Sequence, residues 1–228
     1  MRNPAGLALM ATAVLSLTGC AMWPFTLFMT PQMSFFVTSV GIGKGGDLGG
    51  LAGADAHCQR LAAAAGGGGK TWSAYLSVPS MPASPSASAV AAVHARDRIG
   101  SGPWFNAKGE RIARDVAHLH NGNNITKATA LDERGNTVKG RGDTPTEHDI
   151  LTGSRADGTA FAPHTDTTCG GWTKSGEGSA VVGHHDRVGP TSDNWSTAWN
   201  FSHHTPACSP EGLARVGGAG KLYCFARN

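Results

Sequence analysis

Two pairs of adjacent histidines, His184-His185 (followed by Asp186) and His203-His204, form the densest group of candidate metal ligands in the chain. Neutral imidazoles and a carboxylate suit zinc. Neighbouring side chains point in different directions, so a single ion would take at most one histidine of each pair. No His-Glu-x-x-His or comparable spacing occurs. The favoured expectation is therefore a hydrogen-bonded network in which His184, His185, Asp186, His203 and His204 brace loop backbone. Between the pairs lie Asp193, Asn194, Trp195, Trp199 and Asn200. An indole face stacks on the apolar face of a sugar and amides bond hydroxyls, so these five are candidate glycan ligands. The competing reading places one or both tryptophans in the core beneath the loop.

Other motifs carry less chemistry. Arg141-Gly142-Asp143 matches an adhesive tripeptide, but it also suits a tight turn, which is the preferred reading. His148-Asp149 reads as a buried ion-pair brace for that loop, and Trp172, beside Cys169, reads as core. No Gly-x-Ser-x-Gly elbow, nucleophile triad or paired acids for glycoside hydrolysis stands out, so a non-catalytic protein is expected. Gly41-Ile42-Gly43-Lys44-Gly45-Gly46 lacks the ending of a phosphate-binding loop and reads as plain loop.

Composition bounds the partners. The formal charge is +3, and removal of Arg2 with a leader leaves +2. That balance is too weak to imply nucleic acid. With 32 glycines and 15% charged residues, the chain describes a loop-rich fold rather than a helical bundle.

The N-terminal segment places the protein. Arg2 precedes an uncharged run, Gly6 to Leu17, which is too short to span a bilayer. Leu17-Thr18-Gly19-Cys20 closes it in the pattern of a bacterial lipoprotein, with cleavage before Cys20 and acylation of that cysteine. Residues 1–19 are then a signal peptide and 20–33 a lipid-anchored spacer. Ala21 rather than aspartate follows the cysteine, so the outer membrane is the expected destination.

The folded domain is expected over 34–228. Residues 34–40 and 71–77 read as strands, the second with Trp72, Ala74 and Leu76 inward. Residues 51–65 form an amphipathic helix with Leu51, Ala54, Cys58, Leu61 and Ala65 on one stripe. A second helix is expected over 88–98, a hairpin around Arg134-Gly135-Asn136, short strands over 179–183 and 221–226, and a long binding loop over 184–210. Of the five cysteines, Cys20 is acylated on this reading, leaving Cys58, Cys169, Cys208 and Cys224. An even number in an oxidising compartment implies two disulfides, with three pairings open.

Several segments line up with one family. Gly53-Ala54-Asp55-Ala56-His57-Cys58-Gln59 and Lys70 to Ser77 resemble the first helix and following strand of the collagen-derived endostatin domain. Thr152 to Gly158, Cys169-Gly170-Gly171-Trp172 and the closing Leu222 to Asn228 resemble its later segments, in order. The resemblance implies an α+β, C-type-lectin-like fold with two helices flanking a mixed or antiparallel sheet, long loops and two disulfides. It implies nested pairing of Cys58 with Cys224 and Cys169 with Cys208. Asp193-Asn194-Trp195 and Trp199-Asn200-Phe201 echo the Trp-Asn-Asp of calcium lectins, whose Pro-containing tripeptides do not occur here. Zinc and calcium are thus the two metals to consider.

The expected function is a lipid-anchored envelope protein that binds a glycan or an envelope component without catalysis. A zinc-binding protein or zinc-dependent hydrolase, and a structural lipoprotein of an envelope assembly, are the alternatives. Replacing Cys20 with Ala should abolish the lipid mass shift and move the protein from the membrane pellet to the soluble fraction. Unchanged pelleting without detergent would refute the anchor.

Overall fold

The computed structural model describes Met1, residues 32–83, 85 and 88–227. The expected signal peptide from residue 2, Cys20 and the spacer as far as residue 31 lie outside the described residues. No helix among the described residues is long and apolar enough to cross a membrane.

The architecture is α+β. In chain order the elements are β1 (Phe35–Val37), α1 (Gly50–Ala64), β2 (Trp72–Ala74), a 3₁₀ turn (Ala95–Asp97), β3 (Trp104–Phe105), β4 (Arg111–Ala113), α2 (Val116–His120), β5 (Asp149–Leu151), α3 (Cys169–Trp172), β6 (Val181–His184), β7 (His203–His204), α4 (Pro210–Ala214) and β8 (Gly218–Ala226). The main sheet is mixed, in the order β1-β8-β5-β6-β7, with β2 also on β8. β1 and β2 run antiparallel to β8, and β5 runs parallel to it.

β8 is the hub because both of its faces are buried. Leu222, Cys224 and Ala226 join Phe36, Trp72, Leu76 and the buried face of α1 in one core. Tyr223 and Phe225 join Phe35, Val37, Tyr75 and Trp199 in a second core on the other face. A strand covered on both sides reads as a continuous apolar run, and residues 34–37 and 222–226 have that pattern. The same double coverage explains β2: Trp72, Ala74 and Leu76 lie in the first core, as expected, while Tyr75 between them is buried in the second.

α1 matches the expected helix to within a residue, with Ala54, His57, Cys58, Leu61 and Ala62 buried. The helix expected over 88–98 does not form. Val78 exchanges both backbone hydrogen bonds with Val93, and Met81 does the same with Val90. β-branched valines thus pair across a ladder, and only the 3₁₀ turn at Ala95–Asp97 remains of the helix. The hairpin around Gly135 is present: Leu131 bridges Thr137, and the Asp132 carboxylate accepts from the N–H groups of Arg134 and Asn136. The expected strands at 179–183 and 221–226 appear as β6 and β8. β5 falls in a stretch whose sequence reads as irregular.

The disulfides join Cys58 to Cys224 and Cys169 to Cys208, the nested pairing that the resemblance implies. The first ties α1 to β8. In the chain-entropy model, removing it by Cys58→Ala with Cys224→Ala should lower stability by about 2–5 kcal/mol in a denaturant titration. The sequence separations are 166 and 39 residues, so loss of Cys169–Cys208 should cost about 1 kcal/mol less. The reverse order would contradict this account.

Candidate metal centre

The ends of β5, β6 and β7 bring together residues far apart in sequence. Asp149 opens β5 and pairs with His184 at the end of β6. His203 on β7 pairs with Val182, so its side chain shares a face with His184. His148 immediately precedes Asp149, and neighbours on a regular strand would face apart. Here β8 places Ala219 and Gly220 between the partners of Asp149 and Ile150. That irregularity locally breaks the pleat and lets both side chains converge. Gly217, at φ 100°, gives them room, since a Cβ there would lie 3.0 Å from Cδ2 of His148. Gly183 on β6 instead admits the Trp199 backbone, since a Cβ there would lie 1.9 Å from its carbonyl oxygen.

Three imidazoles surround one buried carboxylate. Nε2 of His148 lies 3.3 Å and Nε2 of His184 3.1 Å from Oδ1 of Asp149, and Nε2 of His203 lies 3.4 Å from Oδ2. The His148 and His184 rings stack with centroids 4.1 Å apart. Ligand atoms of His148, Asp149 and His184 all lie within 4.8 Å of one another, a group able to hold a metal. Although these separations suit ion pairs, neither Asp149 oxygen has a partner in hydrogen-bond geometry among the described residues, and Nε2 of His184 has none either.

The opposite edges of the rings are also engaged. Nδ1 of His148 faces Oδ1 of Asp186 at 3.2 Å, Nδ1 of His184 faces the Ser196 carbonyl at 2.7 Å, and Nδ1 of His203 faces the His204 carbonyl at 3.2 Å. All three partners accept only, so Nδ1 carries the hydrogen and a neutral ring presents its lone pair at Nε2. In their neutral forms the three rings would each turn a lone pair toward the Asp149 carboxylate, a set of acceptors that only a cation, a proton or a metal ion, can bridge. Burial pushes the Asp149 carboxyl up, and the facing imidazoles, led by His184 and His203, bring it below its usual value. His203 is held up, its burial outweighed by Asp149. Asp186 is buried as well, yet His148 and the N–H groups of Arg141 and Val188 hold its carboxyl well below the usual range.

No family model matches the chain, and no curated protein is similar to it.

The centre differs from the expected one. One histidine of each adjacent pair belongs to it, His184 and His203. His185 points away and bonds the Lys139 carbonyl through Nε2, and His204 is exposed beside Ser179. Asp186 is a support, orienting His148 rather than facing the other imidazoles. His148 and Asp149, read as a brace for their own loop, supply the centre's carboxylate and its third imidazole. Nothing in their local sequence points to His184, because the link is the pairing of β5 with β6.

The five candidate glycan ligands do not share a surface. Trp199 is 3% exposed and packs on Tyr75 and Tyr223. Asn200 is buried and donates to Tyr75 Oη and to the Arg155 and Ala156 carbonyls. Trp195, 45% exposed, stays outside with Asp193 and Asn194. Trp172 is core, donating its indole N–H to the Ser77 carbonyl. In the Arg-Gly-Asp turn, the Asp143 carboxylate accepts from the Gly140 N–H and pairs with Lys127 at 2.6 Å. Trp199→Ala should therefore cost about 3–5 kcal/mol of stability in urea unfolding, and Trp195→Ala no more than about 0.5 kcal/mol. Equal losses would contradict this division.

Proposed function

We propose that the chain is a zinc-binding recognition domain of C-type-lectin-like architecture, displayed on the bacterial envelope through an acylated Cys20. One observation carries the zinc reading: ligand atoms of His148, Asp149 and His184 lie within 4.8 Å of one another, Nε2 of His203 lies 3.4 Å from the second Asp149 oxygen, and neither that carboxylate nor Nε2 of His184 has a hydrogen-bond partner among the described residues. Tetrahedral zinc with bonds of about 2.0–2.1 Å sets neighbouring donors about 3.3 Å apart. Imidazole and carboxylate donors suit zinc better than calcium, which prefers six or more oxygens. The lectin-like reading is supported by terminal strands paired in one sheet, by nested disulfides and by the bond from the first helix to the last strand. Its ligand, a glycan or another envelope component, would meet the exposed indole of Trp195.

In this reading the zinc ties β5, β6 and β7 together. Asp186 behind His148 and the carbonyl behind His184 fix ring orientation and raise ligand basicity. Each imidazole must be unprotonated to bind, so affinity falls as pH drops through the histidine range. After dialysis the purified protein should retain close to one equivalent of zinc by elemental analysis, and Asp149→Ala or His184→Ala should retain none. Free zinc at 100 times Kd should stabilise the fold by about 2.7 kcal/mol in thermal unfolding. Zinc-free protein that gains no stability from added zinc would refute the proposal.

A further inference from the structure

The four groups are not equivalent: ligand atoms of His148, Asp149 and His184 lie within 4.8 Å of one another, and His203 stands outside that set, 3.4 Å from the second Asp149 oxygen. The side chains of Asp149, His184 and His148 are 0%, 1% and 4% exposed, whereas that of His203 is 27% exposed. His184 is held by the Ser196 carbonyl and the Ser202 hydroxyl. His148 is held by Asp186, itself fixed by the N–H groups of Arg141 and Val188. The Nδ1 contact of His203 is to the carbonyl of the next residue, His204, on the two-residue strand β7 at the edge of the sheet. Its contact with Asp149 is also the longest of the three. Rotation about its own side-chain bonds would carry it into solvent without breaking a backbone ladder.

Resting on the zinc reading above, we propose that His203 is an exchangeable ligand and that an external carboxylate takes its place on the metal. His148, Asp149 and His184 would then form a three-ligand set with one open position, the arrangement of zinc sites that accept exogenous ligands. Within the coordination sphere, the dication and the Asp149 carboxylate leave one positive charge. That charge favours an anionic donor over a neutral one, and the opening at His203 is where such a donor can enter. The protein thus meets its ligand through a shared metal ion.

The test uses the full chain in detergent, loaded with cobalt(II) in zinc's place so that coordination is visible in the absorption spectrum, with acetate as the probe. The expected result is a saturable change in the visible bands on adding acetate to the wild type. His203→Ala should keep its cobalt and respond at lower acetate, while its zinc affinity falls by about 10- to 100-fold, the scale of a supporting group. His184→Ala should lose the metal altogether, with circular dichroism confirming that both variants fold. Glucuronate and N-acetylaspartate, run in parallel, separate an acidic sugar from an acidic side chain by the stronger response. A spectrum indifferent to acetate, with His203→Ala losing metal as completely as His184→Ala, would show a closed four-ligand site and overturn the exchange while leaving zinc binding intact. Failure of the wild type to take up either metal would overturn both.

Discussion

The buried carboxylate of Asp149 is the constraint on which this end of the sheet depends. A charged group removed from water without partners costs several kcal/mol, and the three imidazoles that approach it would, as neutral rings, present acceptors rather than donors. Some positive charge must reside among them. A proton on His203, whose affinity for it is raised, answers one oxygen and leaves His148 and His184 facing the other with lone pairs. A dication would answer the carboxylate and the facing lone pairs together, with Asp186 behind His148 orienting that ring.

The rest of the fold puts these groups where they are. β8 is buried on both faces, carries β1, β2 and β5, and is bonded to α1 through Cys58–Cys224. Its two extra residues, Ala219 and Gly220, disturb the register at the point where β5 begins, and there His148 and Asp149 turn to the same place. Beyond β5 the sheet thins: β6 pairs with it over three residues, and β7 with β6 over two. Ladder hydrogen bonds are few where the centre lies, so a metal held there would supply cross-linking that the short strands do not.

The parts of this arrangement written in local pattern were legible in the sequence. α1 shows its stripe and β8 its apolar run, and the four cysteines imply two bridges. The doublets His184-His185 and His203-His204 announced candidate ligands, and strand geometry limited each to one. What was not legible depends on pairing at a distance. Asp149 and His184 are 35 positions apart, and their juxtaposition exists only once β5 and β6 are in register. β5 itself is three residues long, with Asp149 at its start, so neither alternation nor length marks it. The segment 88–98 misled for the opposite reason: its alanines favour a helix locally, while Val90 and Val93 find better partners across a ladder. Trp199 and Asn200 resemble binding residues by type, and only the aromatic cluster around Tyr75 and Tyr223 shows that they are core.

Access to the centre follows from what holds each ligand. On one side, a cleft of about 700 Å³ lined by Arg141, Thr146, Glu147, His148, Arg215 and Gly217 reaches the group only through His148. Entry there would have to displace a ring whose support, Asp186, also fixes the Arg141 and Val188 backbone, so the whole 139–147 wall would move with it. On the other side stands His203, tied through Nδ1 to its own neighbour. A ligand approaching from the cleft must break a network, whereas one approaching from β7 need only turn one side chain. The same Asp186 network explains why the Arg-Gly-Asp turn is best read as part of the scaffold: its arginine N–H and its aspartate carboxylate are both already engaged in holding the loop that carries His148.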